Sequence, residues 1–245
     1  IFYGCIIASI GYACILISVF EITLIGFGIV GLGLSVISDK TFIEKQTSIA
    51  FDFSYHLKLN ENYDLFFGFK AGLNSYDANT DGLVTYGVME DPELMNLNGR
   101  LSPNFGAGIY LKHEDYFLAF SIPKILNTDR LEEANGIATV DESRNHMYLT
   151  GGYNFILNEN IILKPSALLR YVYASPLSVD LTAILEFNRK FDLGAAYRIN
   201  EGVSGLVVFK VSKSMQIGYA YETSLENSVR SIDNSTNEII MRLRL

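Results

Sequence analysis

Residues 49–59, IAFDFSYHLKL, alternate in character without a break. Ile49, Phe51, Phe53, Tyr55, Leu57 and Leu59 hold one set of positions, and Ala50, Asp52, Ser54, His56 and Lys58 hold the other. A period of two belongs to an extended strand, whose successive side chains point to opposite faces. One face is therefore apolar along its whole length and the other carries charge. Two β architectures satisfy that pattern. A soluble sandwich or barrel turns the apolar face inward, whereas a membrane barrel turns it toward lipid.

The same alternation recurs at 29–37, 63–74, 104–112, 115–122, 145–155, 162–173, 179–187, 191–199, 203–211, 215–222 and 238–245. This makes about twelve strands at the roughly ten-residue spacing of a membrane barrel. No helix-period segment interrupts them. Several runs exceed the roughly five or six residues of soluble strands. Their polar faces mix charges with Gly and Ser, and Tyr55, Tyr63, Tyr153, Tyr171, Tyr173, Tyr219 and Tyr221 stand near strand ends, as interfacial girdles require.

The connections separate the two architectures further. Residues 60–62, 113–114, 157–161, 189–190 and 212–214 read as tight turns. The intervening joints include long ones at 38–46, 75–103, 123–144 and 223–236, with short ones at 174–178 and 200–202. All the long joints share one parity and so leave one rim, the asymmetry of an up-and-down barrel in an outer membrane. A Greek-key sandwich has no reason to keep it. The expected fold is all-β: an antiparallel up-and-down transmembrane β-barrel of about 12–14 strands.

The front of the chain departs from this pattern. Residues 1–28 are apolar, poorly alternating and charged only at Glu21. They are set apart as an atypical N-terminal segment, with the barrel over 29–245. On hydropathy, residues 1–20 also suit a membrane helix or the apolar part of a signal peptide, and Cys14 a lipid anchor. Elsewhere composition mainly excludes. A net charge of −8 at pH 7 argues against nucleic acid, whose phosphates call for a basic surface. Cys5 and Cys14 both lie in the first apolar stretch, so no disulfide framework spans the body of the chain.

Catalytic chemistry is hard to assemble. His56, His113 and His146 make no HxH or HExxH pair, there is no CxxC, and no G-x-S-x-G elbow appears. Ser143 beside His146 is a hydrolase pair only by adjacency. No cofactor and no catalytic residue is expected. DANTDG at 77–82 places Asp77, Asn79 and Asp81 at the first, third and fifth positions of a calcium loop, but Val88 stands where the bidentate Glu belongs. The charges on the polar faces are Asp52, Lys58, Lys70, Lys112, Lys164, Arg170, Asp180, Glu186, Arg198, Lys210, Arg242 and Arg244. Their mixed signs suit ion pairs that fill a closed barrel better than an ion-selective lining. In the 75–103 joint, Leu83, Val84, Tyr86, Val88, Met89, Leu94, Met95 and Leu97 lie among charges, as in a partner-binding surface or a lid.

As an ordered series, GLGLSVISDK (31–40), SYHLKLN (54–60), FGFKAGLN (67–74), SPNFGAGIYL (102–111), HMYLTGGYNF (146–155), LKPSALLRYV (163–172), SVDLTAIL (178–185), DLGAAYR (192–198) and IGYAYE (217–222) resemble the PorP/SprF family. That family comprises outer-membrane proteins of the type IX secretion system. The resemblance covers about residues 30–245, while the NPA-x-AG-like opening of family members is replaced here by residues 1–28. It implies a barrel of about fourteen strands. It also implies a non-enzymatic role, in the outer membrane of a Gram-negative bacterium, in export or surface attachment of adhesins of the gliding-motility type. The implied partners are the lipid bilayer, secreted adhesin C-terminal regions and other secretion-system components. The rival from the residues alone is a passive, porin-like barrel for small solutes.

Overall fold

A computed structural model describes residues 20–24, 29–41, 44–78, 97–126, 129–134, 137–142, 144–225 and 235–243. The chain groups into two units, one of residues 13–149 and 170–177, the other of residues 1–12, 150–169 and 178–245. The first contains β1 (Phe20–Leu24), β2 (Val30–Thr41), β3 (Glu44–Lys58), β4 (Asp64–Ala78), β5 (Leu97–Lys112) and β6 (Tyr116–Ile122). It also contains a two-stranded hairpin of β7 (Asp129–Ala134) and β8 (Ile137–Glu142), and the start of β9 (His146–Tyr153). The second contains β10 (Phe155–Asn158), most of β11 (Ile161–Val172), β12 (Ser178–Phe187), β13 (Phe191–Arg198), β14 (Gly202–Lys210), β15 (Met215–Ser224) and β16 (Ser235–Leu243). Fourteen strands form one sheet in chain order, from β1 to β6, then β9, then β11 to β16, with β10 also on β11. Their pairing is antiparallel. No helix among the described residues is long and apolar enough to cross a membrane.

Tight turns propagate register from one strand to the next. In β3 and β4, Phe53 faces Phe69 on the apolar side, and the next pair, Asp52 with Lys70, falls on the polar side. Carried across the strands, this alternation inverts the usual burial. Among the described residues the buried apolar side chains are Ala50 and Ala220, while Ser35, Ser178, Glu186 and Arg198 are buried polar ones. Phe51 is 68% exposed, Leu101 66% and Ile239 83%. Apolar exposure on this scale is suited to hydrocarbon and unfavourable in water.

Three stretches differ from the sequence reading. Residues 38–46 are not a long joint: β2 and β3 stay paired out to Thr41 and Glu44. Residues 75–78 and 97–103 belong to β4 and β5, which reduces the long joint to 79–96. Residues 123–144 hold the β7–β8 hairpin, with Ala134 paired to Ile137 across Asn135-Gly136. Asn-Gly between two such runs is a strong hairpin signal. Within the atypical front segment, β1 pairs with β2 from Phe20 opposite Val36 to Leu24 opposite Leu32.

Gly72 marks where β3 and β4 approach closely. A Cβ there would stand 2.6 Å from the Ile49 carbonyl oxygen and 2.7 Å from the Ala50 Cβ, both short-tethered neighbours that cannot swing aside. Gly72→Val is expected to destabilise the fold by about 2–3 kcal/mol through overpacking. The measurement is the urea midpoint in detergent, and a midpoint equal to wild type would refute the tight contact.

Candidate functional site

The polar face of the sheet gathers the charged residues, which each unit arranges separately. In the unit containing β12 to β16, Asp180 and Arg198 are direct cross-strand partners. Arg198 donates from Nε to Asp180 Oδ1 at 2.7 Å and from Nη2 to Oδ2 at 3.2 Å. Such a fork fixes geometry as well as charge. Glu201 and Glu222 carboxylate oxygens each lie 3.6 Å from the same guanidinium, and Ser178 Oγ donates to Glu201 Oε1 at 3.1 Å. One buried cation thus serves three carboxylates.

A second cluster lies farther along these strands. Glu186 sits opposite Asp192, a like-charge pair that is unfavourable by itself. Two lysines offset it: Lys164 Nζ and Lys210 Nζ donate to Glu186 Oε2 at 2.7 and 2.6 Å. Lys210 also lies 3.1 Å from Asp192 Oδ1. Here two cations balance two anions.

In the other unit, Lys70 Nζ stands 3.3 Å from Asp52 Oδ1. Ser35 bridges the pair, accepting from Lys70 at 3.3 Å and donating to Asp52 Oδ2 at 3.0 Å. Toward the tight turns the polar face becomes aromatic. His56 contacts Asp64 Oδ1 through Nε2 at 2.8 Å and stacks on Phe66 with centroids 4.5 Å apart. Phe66 leads to Tyr110, and Tyr110 to Phe117, each 5.8 Å away. Tyr63 and Tyr116 share a hydroxyl hydrogen bond of 2.9 Å, and His113 stacks on Tyr116 at 4.6 Å.

The mixed-sign charges expected on the polar face therefore form ion pairs at Asp52, Lys70, Lys164, Asp180, Glu186, Arg198 and Lys210. Asp192, Glu201 and Glu222 were missed, although Asp192 and Glu222 have the parity of that face and Glu201 lies in a short joint. Phe66, Tyr110 and Phe117 were missed because apolar residues on a polar face break the pattern used to find it. Tyr63, expected in a girdle near a strand end, lies just before β4 and packs against Tyr116 and His113. Of the loop candidates, Leu83, Val84, Tyr86, Val88, Met89, Leu94 and Met95 lie outside the described residues, and Leu97 opens β5 opposite Ala78. Of the calcium candidates, Asn79 and Asp81 lie outside them too, while Asp77 stands in β4 opposite Lys45. Ser143 and Arg244 are likewise outside. His146 neighbours Tyr148, with ring centroids 6.2 Å apart. Among the described residues, no three His, Cys, Asp or Glu side chains cluster as metal ligands would.

Satisfied ion pairs across adjacent strands hold register and fill space, and the groups in them are committed to one another. A family model described as type IX secretion system membrane protein PorP/SprF matches residues 18–243, from just before β1 to the end of β16. No curated protein matches the chain.

Proposed function

The chain belongs to the PorP/SprF family of type IX secretion system membrane proteins, and on that footing we propose that it is a non-enzymatic β-barrel of the outer membrane of a Gram-negative bacterium that supports export or surface attachment of adhesins. The observation that carries the membrane half is the inverted burial, with phenylalanines exposed and ion pairs buried. The secretion half rests on the family. Barrel walls are committed to lipid and lumen, so recognition falls to the connecting segments. The longest joints, 79–96, 123–145 and 225–234, share one parity in the strand order, and this reading assigns that parity to the cell surface. The 79–96 joint, with Leu83, Val84, Tyr86, Val88, Met89, Leu94 and Met95, is the proposed contact for an exported protein.

Deleting residues 79–96 tests this reading. The barrel is expected to assemble, with the folded band on an unboiled gel retained, while surface display of the exported adhesin falls about ten-fold or more, the order expected from loss of an interface hot spot. Undiminished display with a higher single-channel conductance would make the segment a lid and favour the porin-like alternative.

A further inference from the structure

We propose that the turn ends of β12 to β15 form a binding surface for anionic phospholipid head groups, an inference that rests on the membrane reading above. Arg189 and Lys190, in the turn between β12 and β13, and Lys213, in the turn between β14 and β15, are all exposed. Lys164, Arg198 and Lys210 on the polar face are each held by carboxylates, whereas Arg189, Lys190 and Lys213 enter no ion pair or side-chain hydrogen bond among the described residues. The adjoining turn, whose Asn160 carbonyl accepts the Asn188 N–H at 2.7 Å, brings Glu159. Three cations thus face one carboxylate along this edge. At the tight turns of the other unit the signs are mixed, with Lys58 and Lys112 against Glu61, Glu114 and Asp115.

Backbone conformation sets Arg189 apart. Lys190 N–H closes the turn on the Phe187 carbonyl at 2.9 Å, with φ of 49° at Asn188 and 55° at Arg189. Two left-handed residues make the hairpin turn whose second position favours glycine. Arginine there bears a strain that glycine would not, so the turn holds a cation where glycine would serve its geometry better.

The apolar face beside these turns supplies the other half of the surface. Phe187, Phe191 and Phe209 are cross-strand neighbours at the strand ends, stacked with centroids 4.9 and 5.9 Å apart. Phe209 is 55% exposed and Val211 62%. Arg189 follows Phe187 by two residues and Lys213 follows Phe209 by four, so the cations stand in the turns that the ring-bearing strand ends lead into. Rings for acyl chains with cations just past them match a phospholipid, whose phosphate stands just outside its hydrocarbon. The surplus of positive charge selects a lipid with net negative charge over one whose phosphate carries its own ammonium. Free phosphate or an acidic peptide would account for the cations and leave the aromatic cluster unused.

The test is native mass spectrometry of the full chain, folded in detergent and incubated with phosphatidylglycerol and phosphatidylcholine of matched acyl chains. Wild type is expected to retain the anionic lipid preferentially. Each neutralised cation should lower the preference about five-fold, taking Arg189→Gln/Lys190→Gln/Lys213→Gln to parity. Arg189→Gly should lose its share of the preference while unfolding no earlier than wild type, which separates the charge from the turn. Parity in wild type, or an unchanged preference in the triple variant, overturns the proposal. So does a preference erased by millimolar inorganic phosphate, which marks a bare phosphate site, or lipid parity with capture of an acidic protein that the triple variant loses. Heat-modifiable gel mobility reads membrane folding separately. A wild type that folds and inserts yet shows parity overturns this inference alone, and one that never inserts overturns the membrane reading with it.

Discussion

Replacing Arg198 with leucine is expected to lower the unfolding free energy in detergent by about 3–5 kcal/mol, the usual result of removing one partner of a buried charge cluster. Arg198 is only 9% exposed, and its loss leaves Asp180, Glu201 and Glu222 without their shared cation. Much of the effect comes from the carboxylates left behind, so Arg198→Leu/Asp180→Asn should recover part of it. Arg198→Lys should fall between, because an ammonium cannot reproduce the fork to both Asp180 oxygens. Urea unfolding of the refolded protein measures all three. A wild-type midpoint for Arg198→Leu would mean that the guanidinium contributes nothing to holding β12, β13 and β15 together.

Glu186→Gln is expected to cost about 2–3 kcal/mol. Glu186 is 7% exposed and accepts from both Lys164 and Lys210. The loss is the smaller one for three reasons. Lys210 keeps Asp192 at 3.1 Å, and the opposed carboxylates of Glu186 and Asp192 no longer repel. Lys164, about one-third exposed, turns toward water. Glu186→Lys would gather three cations around Asp192 and should prevent assembly, seen as loss of the fast-migrating folded band. Assembly of that variant at wild-type yield would show that the cluster is not needed for pairing β11 to β14.

The strands were legible where the alternation is sharp, because a strand between an apolar medium and a polar interior must change character at every residue. Where the alternation fades the signal stops while the hydrogen bonds continue. For this reason Ser38–Thr41 and Glu44–Gln46 read as loop although they pair in register, and so do Ser75–Ala78 and Leu97–Pro103, which pair with a register shift between Tyr76 and Ala78. The hairpin at 129–142 was within reach, since an Asn-Gly pair between two strand runs is a strong hairpin signal in sequence. Parity assigned the charges to a face but did not name partners. The turn at Asn188–Lys190 settles Asp180 opposite Arg198 once its three-residue length is known. Lys164 meeting Glu186 depends on the register set across the joint at 173–177, which strand alternation alone does not contain. The aromatic run His56, Phe66, Tyr110 and Phe117 was hidden because it rests on register between strands, His56 opposite Phe66 and Phe66 opposite Tyr110, which a single strand's pattern does not contain.

Strand order equal to chain order bears on how such a sheet is made. Within this sheet each strand finds its partner in the segment just before it, so pairing along it does not wait for a distant stretch of chain, and the entropy of closing large loops does not hold its growth back. Besides the free edge of its first strand, the growing sheet always ends in a second unsatisfied edge. In hydrocarbon that edge is costly at every intermediate stage, since its amides and carbonyls have no water to turn to. A half-made sheet is therefore a hazard to its neighbours, ready to pair with another copy's edge. Whatever delivers the chain to the bilayer must shield that edge until the last strand arrives, and the faster each hairpin zips, the briefer that protection has to last.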